Sequence, residues 1–309
     1  MKILIVQIGR YGDMVLTTPL FREIHSVYPE AEIDLLCSKQ NYQIIEGNPH
    51  IRRIWIHKKG LKTPKLIFSL RAEKYDVWLD PKDHFSNEST LLAKISNAKM
   101  KIGWNGEGST AFTHPVNQAD NSKLHRVETN LASLLPLGII STANIRPELF
   151  PSKDSEQFAE QFLEKIGNPI VINISAGDES RYLPSETWRE VCKSITHPIV
   201  LNFSPKDALL AREIQSGNTD VNLYPSRNIM DSVSLIKRAQ VVISPDTAVV
   251  HIASAFDVPT LGLYTRIEWN YDRFHPLSSQ SIVVQPEEGK TLRELTSNKI
   301  LEAFEQFAL

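Results

Sequence analysis

Residues 2–28 read KILIVQIGRYGDMVLTTPLFREIHSVY. An apolar, β-branched run ending at Gln7 gives way to a loop bracketed by Gly9 and Gly12, then to apolar residues at helical spacing. That is the order of a strand, a tight turn and an amphipathic helix. The unit recurs as AEIDLLC (31–37) before NYQIIEG (41–47), RIWIH (53–57) before LIFSLRAE (66–73), and YDVWLD (75–80) before ESTLLAKIS (88–96). KMKIGW (99–104) and a helix near Arg126 to Leu135 continue it. Strands apolar on both faces, alternating with helices, predict a parallel sheet covered on each side.

The periodicity breaks between Pro147 and Asp154, passes through a helix near Glu156 to Lys165, and restarts at PIVINIS (169–175). HPIVLNF, DVNLY, QVVIS and VPTLGLY follow, with helices expected near Ser185, Pro205, Ile229 and Val249, and SIVVQ precedes a last amphipathic segment, Leu295 to Phe307. The expected fold class is therefore α/β, with two doubly wound Rossmann-like domains. Residues 1–150 form the first, 151–168 a linker with a helix, 169–286 the second, and 287–309 a segment whose helix returns to the first domain. The carboxyl ends of both sheets are expected to face a common cleft, which puts the chemistry in strand-to-helix loops.

With 41% hydrophobic and 23% charged residues, the composition is that of a globular chain, and a net charge of -2 offers no general attraction to nucleic acid. No stretch approaches the roughly 18 apolar residues that span a bilayer. The opening run is cut by Gln7, Gly9 and Arg10, unlike a signal-peptide core, and Cys37 and Cys192 match no zinc or redox spacing. Two reduced, buried thiols and a cytoplasmic location are expected. Residues 1–150 carry 19 Lys and Arg against 15 Asp and Glu, and Gly47 to Ala72 holds Arg52, Arg53, Lys58, Lys59, Lys62, Lys65 and Arg71 with no acidic residue. This segment is either an anion-facing surface or a solvated face.

Three loops carry candidate chemistry. IGRYGDMVLTTP (8–19) lacks the three glycines of a dinucleotide fingerprint, and a carboxylate, Asp13, stands at the helix start, where it would repel phosphate. Asp13 reads as a helix N-cap or as a general base towards an incoming hydroxyl, with Thr17 and Thr18 helping to hold that acceptor. In VVISPDTAVVHIASAFDVPTLGLY (241–264) the amides of Thr247, Ala248, Val249 and Val250 would open a helix towards a diphosphate. There Asp246 caps the helix or binds a sugar hydroxyl, and His251 is a core histidine or a phosphate contact. In ISAGDESRYLPSETWREV (174–191) Arg181 is the loop's cation, a surface residue or a phosphate clamp.

Together these segments resemble glycosyltransferase family nine, the bacterial ADP-heptose:lipopolysaccharide heptosyltransferases. IGRYGDMVLTTPLFREI is similar to its first glycine-aspartate segment, SRYLPSETWREV to its K-x-W-P-x-E-x-W run, and SPDTAVVHIASAFDVP to its D-[TS]-G-P-x-H-x-A-A-A signature. The resemblance implies a GT-B architecture and inverting, metal-independent transfer, with no cofactor beyond a nucleotide-sugar co-substrate, an ADP-sugar. It assigns Asp13 as base, and Arg181, Asp246, Thr247, Ala248, Val249 and His251 to the donor. Thr17, Thr18, Arg52, Arg53, Lys58, Lys59 and Lys62 would meet an acidic lipopolysaccharide core at the cytoplasmic face of the inner membrane. The chain departs from the family pattern at Ala248, where the family has Gly, at Val249 and Val250, and at Arg181, where it has Lys. If the position of Ala248 requires a positive φ, the alanine would be strained. A nucleotide-sugar epimerase of the same architecture and a non-catalytic sugar-nucleotide-binding homologue are the alternatives.

Overall fold

The computed structural model describes residues 1–309 except 59–62, 107, 117–122, 142–143, 219 and 308–309. The chain divides into two compact units, Met1–Phe150 and Pro151–Leu309. In the first, β1 (Lys2–Gln7), β2 (Glu32–Ser38), β3 (Arg53–His57), β4 (Val77–Leu79), β5 (Met100–Gly103) and β6 (His114–Pro115) make one sheet in the order β3-β2-β1-β4-β5-β6. In the second, β7 (Ile170–Asn173), β8 (Ile199–Asn202), β9 (Val221–Leu223), β10 (Val241–Pro245), β11 (Thr260–Leu263) and β12 (Ser281–Val284) are ordered β12-β11-β10-β7-β8-β9. All the pairings are parallel. Both are doubly wound sheets whose strand order reverses beside the first strand, between β1 and β4 and between β7 and β10. Outside the carboxyl ends of such a pair is where ligands of these sheets bind.

The helices of the first unit are α1 (Tyr11–Val15), α2 (Thr18–Val27), α3 (Thr63–Ala72), α4 (Asn87–Ile95) and α5 (Arg126–Ala132). The expected helix in NYQIIEG is only a 3₁₀ turn, Gln43–Ile45. Asn41 is fully buried and its side chain binds the Gln7 carbonyl at 3.0 Å and Ser38 at 2.8 Å, so the local chain serves that network instead of a helix. The second unit adds α6 (Lys153–Leu163), α7 (Ser185–Ser194), α8 (Ala208–Gln215), α9 (Ile229–Ile236), α10 (Ala248–Ala255), α11 (Glu268–Phe274) and α12 (Ser297–Phe304). α11 had no counterpart in the sequence reading.

Two boundary expectations change. The helix placed in the linker, α6, belongs to the second unit: Glu156 meets Lys237 at 2.9 Å, and the Arg227 guanidinium lies 4.1 Å from the Phe158 ring. The terminal helix is likewise part of the second unit. Ile300, Ala303 and Phe304 of α12 are buried in the core of the second unit with Trp188 and Val191 of α7, because that core already exposes an apolar face to be covered. Among the described residues no helix is long and apolar enough to cross a membrane. Cys37 and Cys192 are buried and unpaired, and burial pushes their thiols up to about 12.

The basic segment is also not what its sequence suggests. Arg52 and Arg53 stand at the amino end of β3, the edge of the sheet opposite the ligand loops. Arg52 binds Asp34 at 2.8 and 2.7 Å, Glu73 at 3.0 Å and Glu32 at 2.9 Å, and Arg53 pairs with Glu73 while lying 5.0 Å over the Trp55 ring. Asp34 is fully buried and also accepts from Tyr75 Oη at 2.5 Å and Trp55 Nε1 at 3.2 Å. The acids come from β2 and from the turn after α3, so no local charge count could reveal them.

Removing Asp34 strands the buried Tyr75 hydroxyl and takes from Arg52 its buried bidentate partner, although Trp55 keeps Tyr75 and Arg52 keeps Glu32 and Glu73. Asp34→Ala is expected to lower the unfolding free energy of the first unit by about 3 kcal/mol, read as a lower urea midpoint. An unchanged midpoint would show that the cluster contributes nothing to stability.

Candidate functional site

In the second unit the first strand ends on Asn173, 2% exposed. Its Nδ2 lies 3.0 Å from the Ser175 carbonyl, 3.0 Å from Ser244 Oγ and 3.3 Å from Thr247 Oγ1, and its Oδ1 accepts from Asn202 Nδ2 at 3.3 Å. One buried amide thus ties the carboxyl ends of β7, β8 and β10 at the point where strand order reverses. Sequence reasoning missed both residues, although each is the polar end of an otherwise apolar run, IVIN and IVLN.

Thr247, not Asp246, is the N-cap of α10. Its Oγ1 accepts from the Val249 amide at 3.3 Å, and its carbonyl from the Val250 amide at 3.2 Å. Two of the four amides expected to face a ligand are therefore taken, and those of Thr247 and Ala248, both half-buried, are left. Ala248 is the first residue of α10. Among described non-glycine residues only Lys74 and Asp257 have positive φ, so Ala248 carries no backbone strain. The expected clash of alanine with backbone geometry does not arise.

Asp246, 4% exposed, pairs with Arg181: Nη1 lies 2.9 Å from Oδ2 and 2.8 Å from the Asp246 carbonyl. Asn270 Nδ2 on α11 donates to the same Oδ2 at 2.8 Å. Burial raises the Asp246 pKa, while Arg181 and then Asn270 oppose it. The loop carrying Arg181 is pinned from behind. Tyr182 Oη donates to the Ala176 carbonyl at 2.9 Å, Lys206 Nζ does so at 3.0 Å, and Asp207 accepts from Ser175 at 2.5 Å and Ser204 at 2.6 Å.

His251 lies in α10, 4% exposed, its ring 6.3 Å from that of Phe274, and its Nδ1 has no hydrogen-bond partner among the described residues. Burial first, then His275 and Arg181, push its pKa down to about 3. It is a neutral histidine and brings no positive charge to a phosphate.

In the first unit Asp13 is half-buried at the third position of α1, not at its N-cap, which is Arg10. Its carboxylate reaches back to the Arg10 amide at 3.2 Å. A Cβ on Gly9 would lie 3.0 Å from Asp13 Oδ2, so glycine is what lets the loop backbone approach that oxygen. The Asp13 carbonyl accepts from Thr17 Oγ1 at 2.7 Å and Gln7 Nε2 at 3.2 Å, and Gln7 also donates to Thr17 at 2.8 Å.

Thr17 and Thr18 are fully buried. Thr18 donates to the Val15 carbonyl at 2.8 Å and accepts from the Glu148 amide at 2.9 Å. Both hydroxyls hold the loop, which corrects their expected contact with an acceptor. Of the expected basic contacts, Lys58 follows β3 at the carboxyl edge and is exposed, while Lys59 and Lys62 lie outside the described residues. The same edge carries residues the sequence reading passed over. Lys82 donates through Nζ to Ser89 at 3.2 Å, and Arg126 pairs with Asp83 at 2.8 Å, both side chains being largely buried.

The His251 shift has a measurable sign. A histidine held neutral in the folded state contributes stability above its unfolded pKa of about 6.5 and loses it as pH falls towards the folded value. Between pH 6.5 and 5 this amounts to about 2 kcal/mol. His251→Asn should flatten the fall in unfolding free energy over that window by about this amount, and an unchanged slope would place the proton elsewhere.

A family model described as glycosyltransferase family 9 (heptosyltransferase) matches residues 64–302. Lipopolysaccharide heptosyltransferase 3 of Escherichia coli is 27% identical over 279 residues, covering 82% of this chain and 80% of the relative. Among solved structures, a family 9 glycosyl transferase from Veillonella parvula has a TM-score of 0.85 at 18% identity, covering 98% of this chain and 96% of that one. ADP-heptose lps heptosyltransferase II of E. coli has a TM-score of 0.82 at 23% identity, covering 99% and 98%. These likenesses carry the fold, a GT-B architecture of two doubly wound units. The family match spans both loops of the second unit and residues 64–150 of the first, and this chain belongs to glycosyltransferase family 9, the heptosyltransferases, and is a glycosyltransferase.

Proposed function

We propose that the protein transfers a heptosyl group from ADP-heptose to a lipopolysaccharide core acceptor, with inversion and without a metal, Asp13 acting as the general base. The observation that carries this reading is the setting of Asp13. Its carbonyl is clamped by Gln7 and Thr17, its carboxylate is backed by Gly9, and it is half-buried on the first strand-to-helix loop. A carboxylate fixed by its backbone and open on one side suits a base that must meet a hydroxyl at short range. The substrates follow from the relatives, one a curated lipopolysaccharide heptosyltransferase and one a solved ADP-heptose lps heptosyltransferase.

In this scheme the acceptor hydroxyl gives its proton to Asp13 as its oxygen attacks the anomeric carbon from the face opposite the leaving group. The C–O bond to the diphosphate breaks, and ADP leaves with the electron pair. The growing charge on its terminal phosphate is met by the Thr247 and Ala248 amides, the positive end of α10 and the Arg181 guanidinium. His251, being neutral, acts by packing or by hydrogen bonding. On the acceptor side Arg52, Arg53, Thr17 and Thr18 are set aside, and Lys58 and Lys82, at the carboxyl ends of β3 and β4, are the proposed partners of an acidic core. Such an acceptor would bring the enzyme to the cytoplasmic face of the inner membrane.

Asp13→Asn should lower kcat by about 10²–10⁴ while leaving ADP affinity close to wild type, since the base acts on the acceptor. Turnover near wild type would eliminate Asp13 as the base. Gly9→Ala should push the carboxylate aside by a few tenths of an ångström and cost about tenfold in kcat, with little change in the melting temperature. Activity is expected to survive EDTA, and a loss that Mg²⁺ reverses would contradict metal-independent transfer. A thermal-shift panel of ADP, UDP, GDP, CMP and their sugars tests the donor, and ADP and ADP-heptose should give the largest shifts.

A further inference from the structure

We propose that Asn270 is a positioning residue for the donor sugar: its amide and Arg181 together hold one oxygen of Asp246, turning the other towards a sugar hydroxyl. The inference rests on the reading of the Asp246 loop as the donor site and extends it to α11, an element outside the signature segment.

The geometry is specific. Asn270 is 2% exposed, and its Nδ2 donates to Asp246 Oδ2 at 2.8 Å. Arg181 Nη1 reaches the same oxygen at 2.9 Å and the Asp246 carbonyl at 2.8 Å. Among the described residues no hydrogen bond engages Oδ1. A carboxylate with both donors on one oxygen has a fixed plane and a second oxygen able to accept from a ligand hydroxyl.

α11 is itself held in place. Tyr264 Oη donates to the Phe274 carbonyl at 2.7 Å, the Tyr264 and Tyr271 rings are 6.3 Å apart and T-shaped, and the Asn270 amide N–H reaches the Ile267 carbonyl at 2.9 Å. Asn270 therefore meets Asp246 from an anchored helix. A neutral amide there orients the carboxylate without adding a second cation to compete with Arg181.

Asp246 is surrounded by few groups that titrate near neutral pH. Burial raises Tyr264 well above its ordinary range, so its hydroxyl stays neutral. His251 is held at about 3, with His275 facing it from the end of α11. These groups are common to every variant compared below.

The test is ADP-heptose and ADP affinity by calorimetry, at about pH 8 and about pH 6, for wild type, Asn270→Ala, Asn270→Asp and Asp246→Asn. Asn270→Ala should weaken ADP-heptose about tenfold, more at the lower pH, because Asp246 takes up a proton more readily without the amide. Asn270→Asp should show the opposite trend. Two facing carboxylates repel at the higher pH, while at the lower pH a shared proton restores a donor to Asp246. ADP, which lacks the sugar, should bind both variants nearly as it binds wild type.

A merely structural role would weaken both ligands alike and give no opposed pH trends, and either result overturns the proposal. If Asn270→Ala does not fold, the shape-conserving Asn270→Asp variant carries the test alone. A wild type that does not bind ADP-heptose, or an Asp246→Asn variant that binds it as wild type does, overturns the donor reading and this inference with it. A weakened Asp246→Asn beside unaffected Asn270 variants overturns the inference only.

Discussion

Each sheet ends its first strand on a buried side-chain amide, Gln7 in one unit and Asn173 in the other, both 2% exposed. A parallel strand that runs into a loop at the centre of a sheet leaves polar backbone and hydroxyl groups in a place water barely reaches, and each must be paired. Gln7 supplies donors to Thr17 and to the Asp13 carbonyl, and its own carbonyl accepts from Asn41. Asn173 does the same for Ser175, Ser244 and Thr247. The conformations of the three loops with candidate chemistry thus follow from one constraint, met by the same chemical group in the two compact units. Leaving either amide without its partners would cost on the order of 1–3 kcal/mol per group, enough to let the loop take another shape.

Charge follows spatial neighbours and not the chain. Seven cations between Gly47 and Ala72 look like an anion-binding surface when read in order, and two of them turn out to neutralise Asp34, Glu32 and Glu73 at the amino edge of the sheet. Parallel strands put residues from distant segments side by side at matching heights, as Asp34 and Arg53 are in β2 and β3. A cation at the start of a strand therefore belongs to a different environment from one at its end. Lys58, five positions after Arg53, stands at the opposite edge of the same sheet.

Periodicity made the doubly wound units and their division at residue 150 legible, because each buried strand must be apolar on both faces and each helix on one. Asp13, Arg181 and the 241–264 loop stood out as candidate chemistry because polar groups interrupt that pattern where strands end. What could not be read were details decided by contacts between segments. Thr247 caps α10 in preference to Asp246 because Arg181 and Asn270 claim the aspartate. Thr17 and Thr18 face inward because α1 spans only five residues before α2 begins. α11 escaped notice because EWNYDRF has neither helical periodicity nor a strong cap, and it is shaped by the rings of Tyr264, just after β11, and His251 of α10 packed against it.

The loops proposed to hold the donor also pose an electrostatic question that the pairing of Arg181 answers. The Arg181 charge is matched by Asp246 and His251 is neutral, so the loops carry little net positive charge for a diphosphate. Yet Asp246 engages Nη1 twice, through a carboxylate oxygen and a carbonyl, and a guanidinium held at one nitrogen has its plane fixed. Among the described residues its other nitrogens are unengaged, so they keep their direction without having to reorganise as charge develops. A fixed donor in a poorly hydrated site stabilises a growing charge more than a mobile cation of the same formal charge does, because the reorganisation has already occurred on folding. The aspartate that cancels the charge of Arg181 is therefore also what orients it, and the Thr247 and Ala248 amides supply the positive potential that the pair lacks.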